Sequence, residues 1–133
     1  MLFRSIICAK LGLQELMVTL GDRGIQYVSH NESIFSPAFK REVFDLSGAG
    51  DTVFAYLAFA LVHGLSMHDA LALANKAAAV AISHLKTYAV RLEELVDNAD
   101  SQEDKIVFDW QVLKNKIEAA RARGKRKIGR SHV

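Results

Sequence analysis

The run Ser47-Gly48-Ala49-Gly50-Asp51-Thr52 holds the residue types needed to move a phosphoryl group. Gly48 and Gly50 let the backbone adopt dihedrals closed to other residues and let a ligand approach without meeting a side chain. Where a helix starts just after such a turn, its first N–H groups lack intrahelical acceptors, and the helix dipole favours an anion beside them. Asp51 cannot itself bind phosphate, since like charges repel. Its carboxylate can instead accept the proton of a hydroxyl whose oxygen attacks phosphorus. A plainer reading is a glycine turn followed by an acidic helix cap. Gly-Ala-Gly spacing alone leaves both open.

The flanking elements must position this turn. Residues 15–20 read as a buried strand, stopped by the tight-turn signal Gly21-Asp22-Arg23-Gly24, and residues 25–28 as a second strand. His30-Asn31-Glu32-Ser33 reads as another turn. Residues 34–39 surround the chain's only proline, Pro37, and suit an edge strand or loop. Residues 40–44 alternate enough to enter the glycine turn as a strand. Beyond it, residues 52–63 have helical composition, with Phe54, Tyr56 and Phe59 expected in the core and Gly64 placed to end the helix. Ser66-Met67-His68-Asp69 is a capping pattern for a second helix. That helix is apolar nearly all round, through Ala70, Leu71, Leu73, Ala74, Ala77 and Val80, so it expects burial on more than one side. Residues 92–99 predict a short helix and 98–105 a polar linker. Asp109 is placed to cap a last helix to about residue 123, with Trp110, Leu113, Ile117 and Ala120 along one face.

Length and charge narrow the function classes. A chain of 133 residues suits one domain, and half of it is apolar. The net charge of +2 belongs to the end of the chain: Arg121, Arg123, Lys125, Arg126, Lys127 and Arg130 stand there without an acidic residue. Without those six, 11 basic residues face 15 acidic ones, which argues against a nucleic-acid-binding face on the body. A single cysteine, Cys8, fits a reducing cytoplasm. Arg4 and Lys10 break up the opening apolar residues, so no signal peptide is expected. The longest apolar run, residues 53–62, is too short to cross a bilayer. His63, His68 and His84 lack metal-ligand spacing, and no metal site is expected on them.

Asp45-Leu46-Ser47-Gly48-Ala49-Gly50-Asp51-Thr52 resembles the second signature of the ribokinase/PfkB carbohydrate kinases. Val18-Thr19-Leu20-Gly21-Asp22-Arg23-Gly24 is similar to the family's strand and turn beside the nucleotide phosphates, and Ala74-Asn75-Lys76-Ala77-Ala78-Ala79 to its adenine-side helix. Within the family, Glu42 to Val53, Leu85-Lys86-Thr87-Tyr88-Ala89-Val90 and Arg121-Ala122-Arg123-Gly124-Lys125 resemble heptose 7-phosphate kinase domains and the linker that follows them.

The resemblance implies an α/β, ribokinase-like (Rossmann-like three-layer α/β/α) fold, here incomplete and represented by its nucleotide-binding C-terminal half. Residues 1–99 would be the ATP-binding part, and 100–133 a linker helix and basic tail. It implies Asp51 as catalytic base and the backbone of Gly48, Ala49 and Gly50 as anion hole. Thr19 and Gly21 would lie along the ATP phosphates, with Gly24 helping the turn, and Asn75 and Ala78 would face the adenine. Asp45 and Ser47 would help hold a monovalent cation. ATP, Mg2+ and, in many members, K+ are the implied cofactors.

The implied reaction is phosphorylation of a heptose 7-phosphate at its anomeric hydroxyl, towards a lipopolysaccharide precursor. A kinase for another sugar or nucleoside, and a noncatalytic nucleotide-binding or interaction remnant, are the alternatives. Two departures stand out. Lys86 occupies a position where relatives carry glycine, and the family's sugar-binding residues and Asn-x-x-Glu motif have no counterpart before the turn. Asn115-Lys116-Ile117-Glu118 has that spelling but falls in the wrong order. The reading therefore expects self-association, or a separate chain completing the sheet.

Overall fold

The computed structural model describes residues 2–97, 114–119 and 121–123. Its elements run α1 (Leu2–Leu11), β1 (Glu15–Thr19), a 3-10 turn (Gly21–Arg23), β2 (Gly24–Ser29), β3 (Ser33–Pro37), α2 (Ala49–Val62), α3 (Met67–Ile82) and α4 (Leu92–Asp97). The strands form an antiparallel sheet in the order β1-β2-β3. Leu16 pairs with Val28 in the first ladder, and Tyr27 with Ile34 in the second. Five consecutive buried residues, Gly24 to Val28, show β2 covered on both faces. Pro37 ends β3 at the sheet edge, where its missing N–H leaves no ladder bond unmade.

α3 is the centre of the molecule. Every residue from Ala70 to Ala77 is buried, because α3 lies between the sheet and α2. Ser66 caps it, its hydroxyl accepting the Asp69 amide at 3.1 Å. One apolar cluster joins Ile25 and Tyr27 of β2 to Val53 of α2 and to Leu71 and Ala74 of α3. A second joins Ala60, Leu65, Ala70, Leu73, Ala77 and Val80 to Leu95 of α4. Leu73 is fully buried, so truncating it to alanine is expected to cost about 2–5 kcal/mol. Ile117, in helical residues 114–119, completes the second cluster, and Lys116 reaches Asp69 at 3.5 Å. Trp110, Leu113, Ala120 and the capping Asp109, like the linker 98–105, lie outside the described residues.

The end of α2 follows its sequence signal. Gly64 takes φ +80, its amide donates to Leu61 at 3.1 Å, and the Leu65 amide donates to Ala60 at 3.0 Å. These two bonds make a Schellman cap, and buried Leu65 seals it.

Three expectations change, and one element is new. Residues 40–44 are not a strand: the Phe44 and Asp45 amides both donate to the Ile82 carbonyl at the end of α3, at 2.8 and 3.2 Å. Among the described residues no neighbouring strand offers this segment a ladder, and alternation alone does not make it one. α2 begins at Ala49, not Thr52, with Gly48 as its N-cap at φ +78, so Asp51 lies in the first turn and is not the cap. Phe54 is 68% exposed, because α2 buries Val53 and Ala60 and partly buries Tyr56 and Leu57 on the face towards α3. α1 is an element beyond those expected from the sequence; it packs against β1 and β2.

Candidate active site

A cleft of about 640 Å³ opens between the sheet and the start of α2, a size suited to a small-molecule ligand. Thr19, Gly21 and Gly24 form one side of it, Ala49 and Gly50 another, and Asn75 and Ala78 a third. Three sequence segments expected to share a ligand thus meet in one cavity. Four other expected residues, Gly48, Asp51, Asp45 and Ser47, stand outside its lining. Gly48 caps the helix whose next two residues do line it, and Asp51 is exposed one residue beyond Gly50.

The start of α2 leaves backbone amides without acceptors among the described residues. The Ala49 amide donates to Leu46 at 3.3 Å and the Thr52 amide to Gly48 at 3.0 Å. Among the described residues no acceptor meets the Gly48, Gly50 or Asp51 amides, as expected where a helix starts without a side-chain cap. A Cβ on Gly50 would meet nothing within 4 Å, so this stretch of backbone faces open space. At Gly48 a Cβ would come within 3.0 Å of the Thr87 methyl group, and the positive φ already favours glycine. The turn is therefore seated on the loop after α3.

Asp45 ties the same two pieces together. One carboxylate oxygen accepts the Ser47 amide at 2.8 Å and the other the Lys86 amide at 3.0 Å. Hydrogen bonds from Ser47, side chain and backbone, and from the Lys86 amide hold the Asp45 carboxyl below the usual carboxylate range. Lys86 has φ +64, the one positive φ outside glycine among the described residues, and it is exposed. Nothing in the sequence signalled this latch. Its visible trace was a lysine at a position where the family resemblance suggested glycine.

Two expected ligand residues carry structural work. Asn75 is buried, and its Nδ2 donates to the carbonyl and hydroxyl of Ser36 at 2.9 and 2.8 Å, pinning α3 to β3. Gly24, at φ +123, lies so close to β3 that a Cβ would fall within 3 Å of three backbone atoms of Ser36, Pro37 and Ala38. The cleft also has lining residues the motifs did not point to. Lys40, Arg41 and Val43 belong to the segment expected as a strand, Phe39 closes the stretch around Pro37 before it, and Ile82 ends α3. Among the described residues no group of three His, Cys, Asp or Glu side chains could hold a metal ion. No helix there is long and apolar enough to cross a membrane.

The family model for pfkB family carbohydrate kinases matches residues 6–94, which include every wall of this cleft. The chain belongs to the pfkB family of carbohydrate kinases. Against the bifunctional protein HldE of Pelobacter propionicus, it is 38% identical over 126 residues, covering 92% of this chain and 26% of that protein. The HldE of Pseudomonas aeruginosa PAO1 is 37% identical over 123 residues, again covering 26% of the longer protein. Among solved structures, ribokinase from Thermotoga maritima superposes with a TM-score of 0.62 at 30% identity, over 68% of this chain and 32% of that one. Arabidopsis thaliana ribokinase, solved with ribose and ATP, superposes with a TM-score of 0.60 at 32% identity, over 62% of this chain and 27% of that one. The fold is thus α/β and ribokinase-like, and the chain spans about a quarter of the length of the curated relatives it matches.

Proposed function

We propose that this chain is the nucleotide-handling part of an ATP-dependent sugar-phosphate kinase acting in the cytoplasm. Its acceptor would be a heptose 7-phosphate, phosphorylated at the anomeric hydroxyl to supply an ADP-heptose precursor of lipopolysaccharide. Kinship with two bifunctional HldE proteins supports the heptose reading. The observation that carries the kinase reading is that α2 begins, at a left-handed Gly48, beside a cleft lined also by Thr19, Gly21, Asn75 and Ala78. Asp51 stands in the first turn of the same helix.

In this reading the adenine lies along α3 near Asn75 and Ala78, and the phosphates run past Thr19 and Gly21 towards Gly50. Asp51 takes the proton of the acceptor hydroxyl while that oxygen bonds the γ-phosphorus, and the bond to the β,γ-bridging oxygen breaks to release ADP. The backbone of Gly48, Ala49 and Gly50 faces the phosphoryl oxygens, where fixed N–H groups stabilise charge as it is redistributed. The uncommitted Gly48 and Gly50 amides suit that work better than the Ala49 amide, which already leans on Leu46. Magnesium would travel with the nucleotide phosphates, since these residues offer it no ligand set. Asp45 and Ser47 remain candidates for a monovalent cation, although both Asp45 oxygens already accept amides.

The test is ADP release from ATP and heptose 7-phosphate. Replacing Asp51 by asparagine in the assembly that turns over should lower kcat by about 10²–10⁴, the range for a lost general base. Unchanged turnover would remove Asp51 from that role.

A second reading is favoured by the outer face of α2. Phe54 is 68%, Leu61 39% and Val62 83% exposed, with Ala55 and Ala58 exposed between them. A helix apolar on both faces suits a further layer packed over it. On this reading the chain binds nucleotide, and self-association or a second chain supplies the acceptor side. Nucleotide binding without turnover by the purified chain, with turnover restored on mixing with an acceptor-binding half, would select it.

A further inference from the structure

We infer that Lys40 and Arg41 are polyphosphate-binding residues of the cleft, setting its preference for a nucleoside triphosphate over the bare nucleoside. The inference rests on the nucleotide reading above and adds residues that none of the expected motifs contains.

The cleft has three charged lining residues, Asp22, Lys40 and Arg41, so positive charge predominates on its walls. Lys40 and Arg41 are exposed, and among the described residues no salt bridge joins either to a carboxylate. By contrast, Lys116 and Arg121 approach acidic groups at 3.5 and 3.7 Å. Two cations beside a cavity without an anionic partner leave their charge available to a ligand.

Their placement fits the phosphates more than the base. The Ala38 amide is fixed to Arg23 at 3.1 Å and the Phe44 amide to Ile82 at 2.8 Å, so the Lys40-Arg41 pair lies on a span anchored at both ends. One anchor is in the Gly21–Arg23 turn and the other leads directly into Asp45 and the glycine turn. The span thus bridges the two features assigned to phosphates, while Asn75 and Ala78 lie on the separate α3 wall. Because the span is not a strand, its side chains are not held in a ladder register and can adjust to an anion. Arginine adds a planar fork that can bind phosphate oxygens in pairs, and lysine a compact charge.

The test is calorimetric titration of the 133-residue chain with ATP and, separately, with adenosine. The double variant Lys40→Gln, Arg41→Gln should lose on the order of tenfold in ATP affinity, the scale of one or two charge-assisted contacts partly screened by solvent. Adenosine affinity should stay within about twofold. The exchange Lys40→Arg with Arg41→Lys should keep most of the ATP affinity, which separates lost charge from lost folding. Raising salt should weaken ATP binding to the wild type more than to the glutamine variant. Equal ATP affinity in wild type and glutamine variant, or equal losses for ATP and adenosine, would overturn the assignment while leaving the nucleotide reading intact. A wild-type chain that binds neither ligand would overturn both.

Discussion

Replacing Gly24 by alanine separates a structural glycine from a ligand-facing one. At φ +123 and ψ −145, Gly24 occupies a region nearly closed to other residues, which costs about 1–3 kcal/mol for a residue with a side chain. The added methyl would also stand 2.1 Å from the Ser36 carbonyl oxygen, 2.7 Å from the Ala38 nitrogen and 2.9 Å from the Pro37 carbonyl carbon. All three are backbone atoms, so no rotamer change relieves the clash and β3 must move away. That movement threatens the register of Gly24 with Pro37 and the hydrogen bond beside it, from the Ala38 amide to Arg23, for a further loss of about 1 kcal/mol. The expected total is about 2–4 kcal/mol, a large share of the roughly 5–15 kcal/mol that stabilises a domain. Urea unfolding followed by circular dichroism should show the midpoint falling while the slope stays close to wild type. A loss below about 1 kcal/mol would refute the reasoning, because strain and clash would then be relieved at little cost.

Gly50→Ala should behave in the opposite way. Its Cβ meets nothing within 4 Å, so stability should hold or rise by up to about 1 kcal/mol from helix propensity, while titration shows weaker ATP binding as the methyl enters the cleft. Lys86→Gly should stabilise the chain by about 1 kcal/mol in urea unfolding, since it relieves a side chain at φ +64 and keeps the amide that bonds Asp45. Tyr56 gives an alkaline test: burial first, then Glu94 and Glu93, push its hydroxyl up to about 12 from 10.0. The folded state then holds its proton longer than the unfolded one, so this contribution is whole below pH 10 and lost as pH rises towards 12. Tyr56→Phe should flatten the alkaline limb of stability between those values, and an unchanged limb would contradict the shift.

The glycine turn, the strand pair before it and the capped apolar helix after it were legible in the residues. Each depends on local backbone chemistry: glycine at positive φ, serine accepting the amide of Asp69, and proline at a sheet edge. The three segments that line the cleft were legible through a family resemblance, and the fold brings Thr19, Gly50 and Asn75 into one cavity. What local sequence could not decide depended on neighbours distant along the chain. Residues 40–44 alternate like a strand, yet their amides find the end of α3 and no strand partner. Gly24 and Asn75 line the cleft, and β3 also lies against both, so one is held by close approach and the other by hydrogen bonds to Ser36. Asp45 meets Lys86 across forty-one positions, and no periodicity encodes such a pairing. Residue types and a family resemblance named the groups that could do phosphoryl chemistry; only the packing of sheet, helix and loop decided which of them the cleft brings together.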